Sequence, residues 1–228
     1  MRILLLFLVF SSALLAQDSL YYKKERDTLY REDQFYVGIS YNILQNKPSG
    51  LSPNSFSSGI TFGFLRDMPI NANRTFAIAP GLGISYQTYH QNLLIQEING
   101  QTNYELIPND ISFDKNNFSQ LLVELPIELR WRTSTPDSHR FFRLYTGVKL
   151  GYLLTSTSRF VSNGGNTKIR NNSDFNSFQY GVYLATGYNT WNFYAYYGLN
   201  PLFKNSVQLN EKRLELSVLH LGLQFYIL

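Results

Sequence analysis

The chain has 228 residues, 44% hydrophobic and 16% aromatic, but only 16% charged, with a formal net charge of +4. It lacks cysteine, which excludes disulfides, thiolate metal sites, cysteine nucleophiles and a lipoprotein anchor. A mean hydropathy of -0.20 excludes a helical membrane bundle, and no Lys/Arg run of the nucleic-acid type is present.

Met1-Arg2 gives a short basic start, and Ile3–Phe10 is an apolar run too brief to span a bilayer. Ser11–Ala16 then offers a small residue before Gln17, so residues 1–16 read as a secretory signal peptide. Residues 17–34 mix both signs, with Lys23, Lys24, Glu25, Arg26, Asp27, Arg31, Glu32 and Asp33, and carry no apolar face; they read as a solvated periplasmic tail.

From Phe35 the pattern alternates with period two. Phe35, Val37, Ile39, Tyr41 and Ile43 oppose Tyr36, Gly38, Ser40 and Asn42 in the first predicted strand. The second sets Phe56, Ile60, Phe62 and Phe64 against Ser57, Gly59, Thr61 and Gly63. The third sets Phe76, Ile78, Leu82, Ile84 and Tyr86 against Ala77, Ala79, Gly81, Gly83, Ser85 and Gln87. In the fourth, Leu121 to Trp131 alternate with Gln120, Leu122, Glu124, Pro126, Glu128 and Arg130. The fifth runs from Phe142 to Tyr152 with Arg143, Tyr145, Gly147, Lys149 and Gly151 on the second face. Phe178–Tyr188, Trp191–Leu199 and a strand ending at Ile227 complete the set.

One face is aromatic or aliphatic; the other is glycine, small polar residues and a few clustered charges, which suits a narrow barrel lumen better than a water-facing sheet. Connections alternate long and short, with long ones at Gln45–Ser55, Tyr89–Asn117, Thr155–Asn176 and Asn200–Glu211. Those at Asp67–Arg74, Thr133–His139 and Asn189-Thr190 are shorter. Residues 35–228 are therefore expected to form an all-β, eight-stranded antiparallel up-and-down transmembrane β-barrel in the outer membrane of a Gram-negative bacterium, both termini periplasmic. Trp131, Trp191, Phe64, Phe76, Phe142 and Tyr188 are expected in an inner aromatic girdle, and Tyr41, Phe56, Tyr86, Phe118 and Tyr152 in an outer one. Pro80 and Pro126 inside strands call for bulges, and so does the phase change between Leu214, Leu216, Val218 and the odd-numbered apolar residues from Leu219.

Three stretches carry a likeness: Arg31-Glu32-Asp33-Gln34-Phe35-Tyr36, Gly63-Phe64-Leu65-Arg66-Asp67-Met68-Pro69-Ile70-Asn71 and Glu124-Leu125-Pro126-Ile127-Glu128-Leu129-Arg130-Trp131-Arg132. Together they resemble the PorT (SprT) family, small outer-membrane barrels of type IX secretion and associated gliding motility. The resemblance implies an outer-membrane place in a protein-export apparatus, and it carries over no catalytic residue.

Glu124, Glu128, Arg130, Arg143 and Lys149 fall on the lumen face, and folding the hairpin about Thr133–His139 sets Glu128 opposite Arg143. Charges in a narrow barrel must pair, so they read as a structural plug, with a proton path or solute filter as the alternative. Arg66, Asp67, Arg74, Arg132 and Arg140 gather at the inner rim as a candidate docking surface for secretion-system proteins. The long loop Tyr89–Asn117 carries Glu97, Glu105, Asp110 and Asp114 against Lys115. His90 with Ser85 and Glu97 or Glu105 is the one assembly that a lipid hydrolase could use. His90, His139 and His220 share no metal-ligand spacing. The expected function is a non-enzymatic scaffold or assembly component of type IX secretion, without cofactor. Its expected partners are the outer-membrane bilayer, lipopolysaccharide and other export proteins. A narrow channel or small apolar ligand-binding barrel and an outer-membrane lipid hydrolase are the alternatives.

Overall fold

The computed structural model of the protein describes residues 33–98, 100–108, 111–133 and 142–227. The signal segment, most of the tail, His139, Arg140 and Asp110 lie outside them. Eight long strands form the barrel: β1 (Gln34–Gln45), β2 (Ser58–Leu65), β3 (Phe76–His90), β4 (Lys115–Arg132), β5 (Phe142–Ser162), β6 (Phe178–Tyr188), β7 (Trp191–Gly198) and β8 (Ser217–Ile227). Each pairs antiparallel with its neighbours in sequence, and β1 pairs with β8 from Phe35↔Ile227 to Gln45↔Ser217, which closes the sheet on itself. Closure leaves no strand at a sheet edge, so each of the eight strands is paired on both sides along most of the barrel wall.

Strand alternation sorts the side chains. On β1, Tyr36, Asn42 and Leu44 are buried while Phe35, Ile39 and Tyr41 are exposed on the wall. The exposed wall is aliphatic and aromatic all round, for example Ile60, Leu82, Leu150, Val182, Phe193 and Leu221. Water-soluble monomers rarely expose a contiguous apolar patch beyond a few hundred Å². Trp131 packs edge-on to Phe142 at 5.9 Å near the short-turn rim, and Trp191 edge-on to Phe225 at 5.2 Å. Toward the other rim Tyr41 stacks on Phe56 at 5.0 Å and Tyr152 meets Phe178 at 5.2 Å.

Phe118 does not join that outer ring. It is 1% exposed and points inward, because it shares the even-numbered face of β4 with Gln120, Leu122 and Glu124. The expected bulges also fall elsewhere. Register between β3 and β4 is the same on either side of Pro80 and Pro126, with the ladder only interrupted over Gly81-Leu82. On β8 the register against β1 is unbroken through Val218. Leu214, Leu216 and Val218 are simply buried apolar residues at the inner side of the long-loop end, in phase with His220. The register shift sits instead opposite Leu121/Leu122, where β5 inserts Leu154, 50% exposed, between Leu153 and Thr155. Beyond it the inward face of β5 changes from odd to even numbers, at Ser156 and Ser158.

β4 and β5 run well past the length a bilayer needs, about 9–11 residues. Their far ends stand beyond the outer ring, and the end of β5 pairs with a short strand, Gly165–Arg170. A separate hairpin, Leu93–Ile98 with Gln101–Leu106, occupies the β3–β4 connection, turning through Gly100 at φ 76. The tightest turn, Asn189-Thr190, uses Asn189 at φ 57, a left-handed conformation that asparagine tolerates.

Candidate functional site

The lumen is the site to which the strands deliver their polar side chains, which lie buried in successive layers from one rim to the other. At the short-turn rim Asp67 follows β2 and turns inward, fully buried. Arg132 donates to it from Nη1 to Oδ1 at 2.8 Å and from Nη2 to Oδ2 at 2.8 Å, and Arg130 Nη1 donates to Oδ1 at 3.0 Å. Such fork-on-carboxylate geometry is among the strongest ion-pair arrangements. Burial raises the Asp67 carboxyl's affinity for its proton, but the hydrogen bonds and charges of Arg132 and Arg130 outweigh it and hold the group below the usual carboxylate range. From outside, the Asp33 carboxylate accepts the Asp67 backbone N–H at 2.7 Å and pairs with Arg66 at 3.1 Å. The β2–β3 connection is shaped by Asn71, whose side chain accepts the Phe76 N–H at 3.0 Å and donates to Thr75 at 2.8 Å.

One layer further in, Arg130 Nε donates to Glu128 at 2.8 Å, and the Tyr226 hydroxyl donates to the same carboxylate at 3.2 Å. The Arg130 guanidinium lies 4.9 Å from the Tyr145 ring centre, and Arg143 lies 5.6 Å from that of Tyr226. At mid-barrel Lys149 pairs with Glu124 at 2.9 Å and donates to the Tyr194 hydroxyl at 2.8 Å. Three tyrosine rings, Tyr183, Tyr194 and Tyr196, surround its ammonium at 5.2–5.4 Å. Ser85 donates to the other Glu124 oxygen at 2.7 Å. Glycines make the room: Tyr36 lies across Gly63 and Gly83 on the next two strands, and a Cβ at Gly63 would stand 2.6 Å from its ring.

Toward the long-loop end, Tyr89 and His220 share a hydrogen bond of 2.9 Å and Asn42 donates to Gln87 at 2.9 Å. Above them an aromatic stopper closes the mouth. Phe118 stacks on Tyr89 at 4.9 Å, and Phe175 on Phe203 at 4.5 Å, with Phe118 to Phe175 at 5.5 Å. Tyr104, from the outer hairpin, packs edge-on to Phe203 and donates to Asp174 at 2.7 Å. Burial raises the Tyr104 phenol's hold on its proton; Asn172, which donates to it at 2.8 Å, works the other way, and Asp174 adds to the rise.

The structure thus brings Glu124 to Lys149 and Glu128 to Arg130, all four buried with Arg143 inside the barrel. It does not bring Glu128 to Arg143. The register sets Gly147 opposite Glu128 and Arg132 opposite Arg143. Pairing runs to Arg132 on β4 as a turn over Thr133–His139 implies, but it starts on β5 only at Arg143, later than that turn implies, and four residues along a strand is about 13 Å. Two residues of the expected docking rim are also relocated. Asp67 and Arg132 are wholly buried in the lumen floor, and Arg132 Nε donates to the Arg74 carbonyl at 3.2 Å. Arg66 alone of the four has a half-exposed side chain. Ser85 and His90 are not assembled: Ser85 faces inward on β3 and is bound to Glu124, whereas His90 lies on the outward face. The aromatic stopper was missed, although the shared parity of Phe118 with Glu124 was a sufficient signal for its first member.

A family model described as the outer membrane protein β-barrel domain matches residues 15–204. Among solved structures, Ail, the attachment invasion locus protein of Yersinia pestis, is similar to the chain. In complex with the heparin analogue sucrose octasulfate it shows 11% identity and a TM-score of 0.41. Without that ligand it shows 13% identity and a TM-score of 0.39, and both comparisons cover 87% of this chain and 100% of Ail. No curated protein matches the chain.

Proposed function

The chain belongs to the outer membrane protein β-barrel domain family, and from that premise we propose that it is a non-enzymatic component of a protein-export system of the type IX kind, serving as an assembly or scaffold partner. The observation that carries the reading is the filled lumen. Buried ion pairs stand at one end and stacked rings at the other, which favours the rims and loops as working surfaces over a solute path through the interior. The type IX assignment rests on the three PorT-like stretches. Two of them, Gly63–Asn71 and Glu124–Arg132, meet in space, since Asp67 from one accepts Arg130 and Arg132 from the other. In this reading the short-turn rim faces the periplasm, and the long loops face the cell surface among lipopolysaccharide.

Deleting the gene tests it. The mutant is expected to lose proteins from the medium and retain them in the periplasm, while the complementing barrel fractionates with the outer membrane and is heat-modifiable on gels. Unchanged export from the mutant would end the secretion reading and leave the barrel assignment standing.

A further inference from the structure

The outward faces of the extended strands hold cations that the lumen does not use. On β5 beyond Leu154, Ser158 is buried inward, so Thr157 and Arg159 point out. The register sets Arg159 between Asn117 of β4 and Lys168 of the strand Gly165–Arg170, and sets Thr157 against Arg170. Ile169 is buried, so Lys168 and Arg170 share the outward face with Arg159. Lys115 stands one alternation further out on β4. Adjacent strands lie about 4.8 Å apart, and the four cations therefore form one exposed patch.

Three features indicate that this patch is made for an anion. Arg159 and Lys168 are directly opposed like charges, an arrangement that destabilises a strand pair by itself. The neighbouring Arg170 foremost, then partial desolvation, then Arg159, make the Lys168 ammonium easier to deprotonate than a free lysine. Among the described residues no carboxylate pairs with any of the four. Beside them a cleft of about 140 Å³ is lined by Lys115, Asn117, Thr157 and Arg159 together with Tyr86 and Leu121. Tyr86 is an outward residue of the apolar wall at the level of the outer aromatic ring. The cations thus begin where the wall's lipid-facing surface ends, which is the height of lipid headgroups.

We infer that this face binds the phosphate group of an outer-leaflet glycolipid, with Arg159 and Lys168 as its principal cations, Lys115 and Arg170 flanking, and Asn117 and Thr157 supplying neutral hydrogen bonds. The inference rests on the outer-membrane reading and on the long loops lying at the cell surface. An acidic protein partner fits the charge but not the position, because the cleft is lined by residues of β3, β4 and β5 and not by loop tips.

The test uses the full barrel reconstituted in vesicles, with deep-rough bisphosphorylated lipopolysaccharide, the same lipid dephosphorylated, and inorganic phosphate as probes. Arg159→Gln with Lys168→Gln is expected to weaken binding of the phosphorylated lipid at least fivefold. Removing the phosphates should weaken wild-type binding similarly, and Lys47→Gln on another long loop should change nothing. In lipid-free detergent the double variant should unfold at a temperature no lower than wild type, since it relieves a repulsion. Unchanged affinity, or a lower unfolding temperature, overturns the site. Inorganic phosphate binding as tightly as the lipid overturns the lipid assignment. Protease added to intact cells separates this from the underlying reading: loops cut only after the envelope is broken overturn orientation and site together, whereas surface-cut loops with unchanged affinity overturn the site alone.

Discussion

One carboxylate organises the floor of this barrel. Asp67 accepts from two buried guanidiniums, and removing one member of a buried ionic group costs about 3–5 kcal/mol because the other charges stay desolvated. Asp67→Asn is therefore expected to unfold at markedly lower temperature, read as the loss of the compact heat-modifiable band. Combining it with Arg132→Leu should be milder than the single change, and equal instability of the two would remove the pairing argument. The pH dependence has a definite sign. The folded Asp67 carboxyl binds its proton less tightly than an unfolded aspartate, whose pKa is about 3.9. Its contribution is thus fully present above that value and is lost as pH falls through the lower, folded one. The stability gap between wild type and Asp67→Asn should stay constant from pH 7 to about 4 and narrow below it. A gap already closing at pH 6 would assign the effect to another group.

Strands were legible because period-two alternation is imposed by the wall and lumen alike: β6 spans Phe178–Tyr188 as the pattern of its residues indicates. What alternation cannot fix is register. A shift that keeps inward residues inward leaves the pattern untouched, so Glu128 was matched with Arg143 when the ladder offers Gly147. The far half of β5 was hidden for a different reason. Thr155-Ser156-Thr157-Ser158 has no apolar face to alternate, and the inserted Leu154 inverts the parity just before it. Rim bulges of this kind absorb a residue locally. Deleting Leu154 should therefore be tolerated, with wild-type heat modifiability, whereas deleting Leu150 turns Tyr152 inward and Gly151 and Leu153 outward before the bulge can take up the change, and should lower the yield of heat-modifiable barrel. Comparable behaviour of the two deletions would discount the bulge. The glycines carry the complementary lesson. Their frequency marked a crowded lumen, but the particular purpose of Gly63 and Gly83 is to let Tyr36 lie across two neighbouring strands. Gly63→Val should cost about 1–3 kcal/mol through overpacking, measurable as a lower unfolding temperature. Tyr36→Ala in the same chain should recover part of the loss.

At the scale of the whole barrel the axis is occupied by side chains, since about eight strands leave room for little else. Planar bilayers containing the purified barrel are expected to show no conductance steps. Phe175→Ala with Phe203→Ala should remain silent too, because the Glu124–Lys149 and Asp67–Arg132 layers lie beneath the rings. Steady channels from wild type would refute the sealed lumen. The pairing of Phe35 with Ile227 has a consequence in time. β1 and β8 make one seam, so the cylinder cannot close until both strands have crossed the inner membrane. Until then both of its edge strands are open and able to capture other chains. Residence in the periplasm is therefore its hazardous stage, and a chain cut short before β8 is expected to aggregate or be degraded there rather than survive as a smaller barrel.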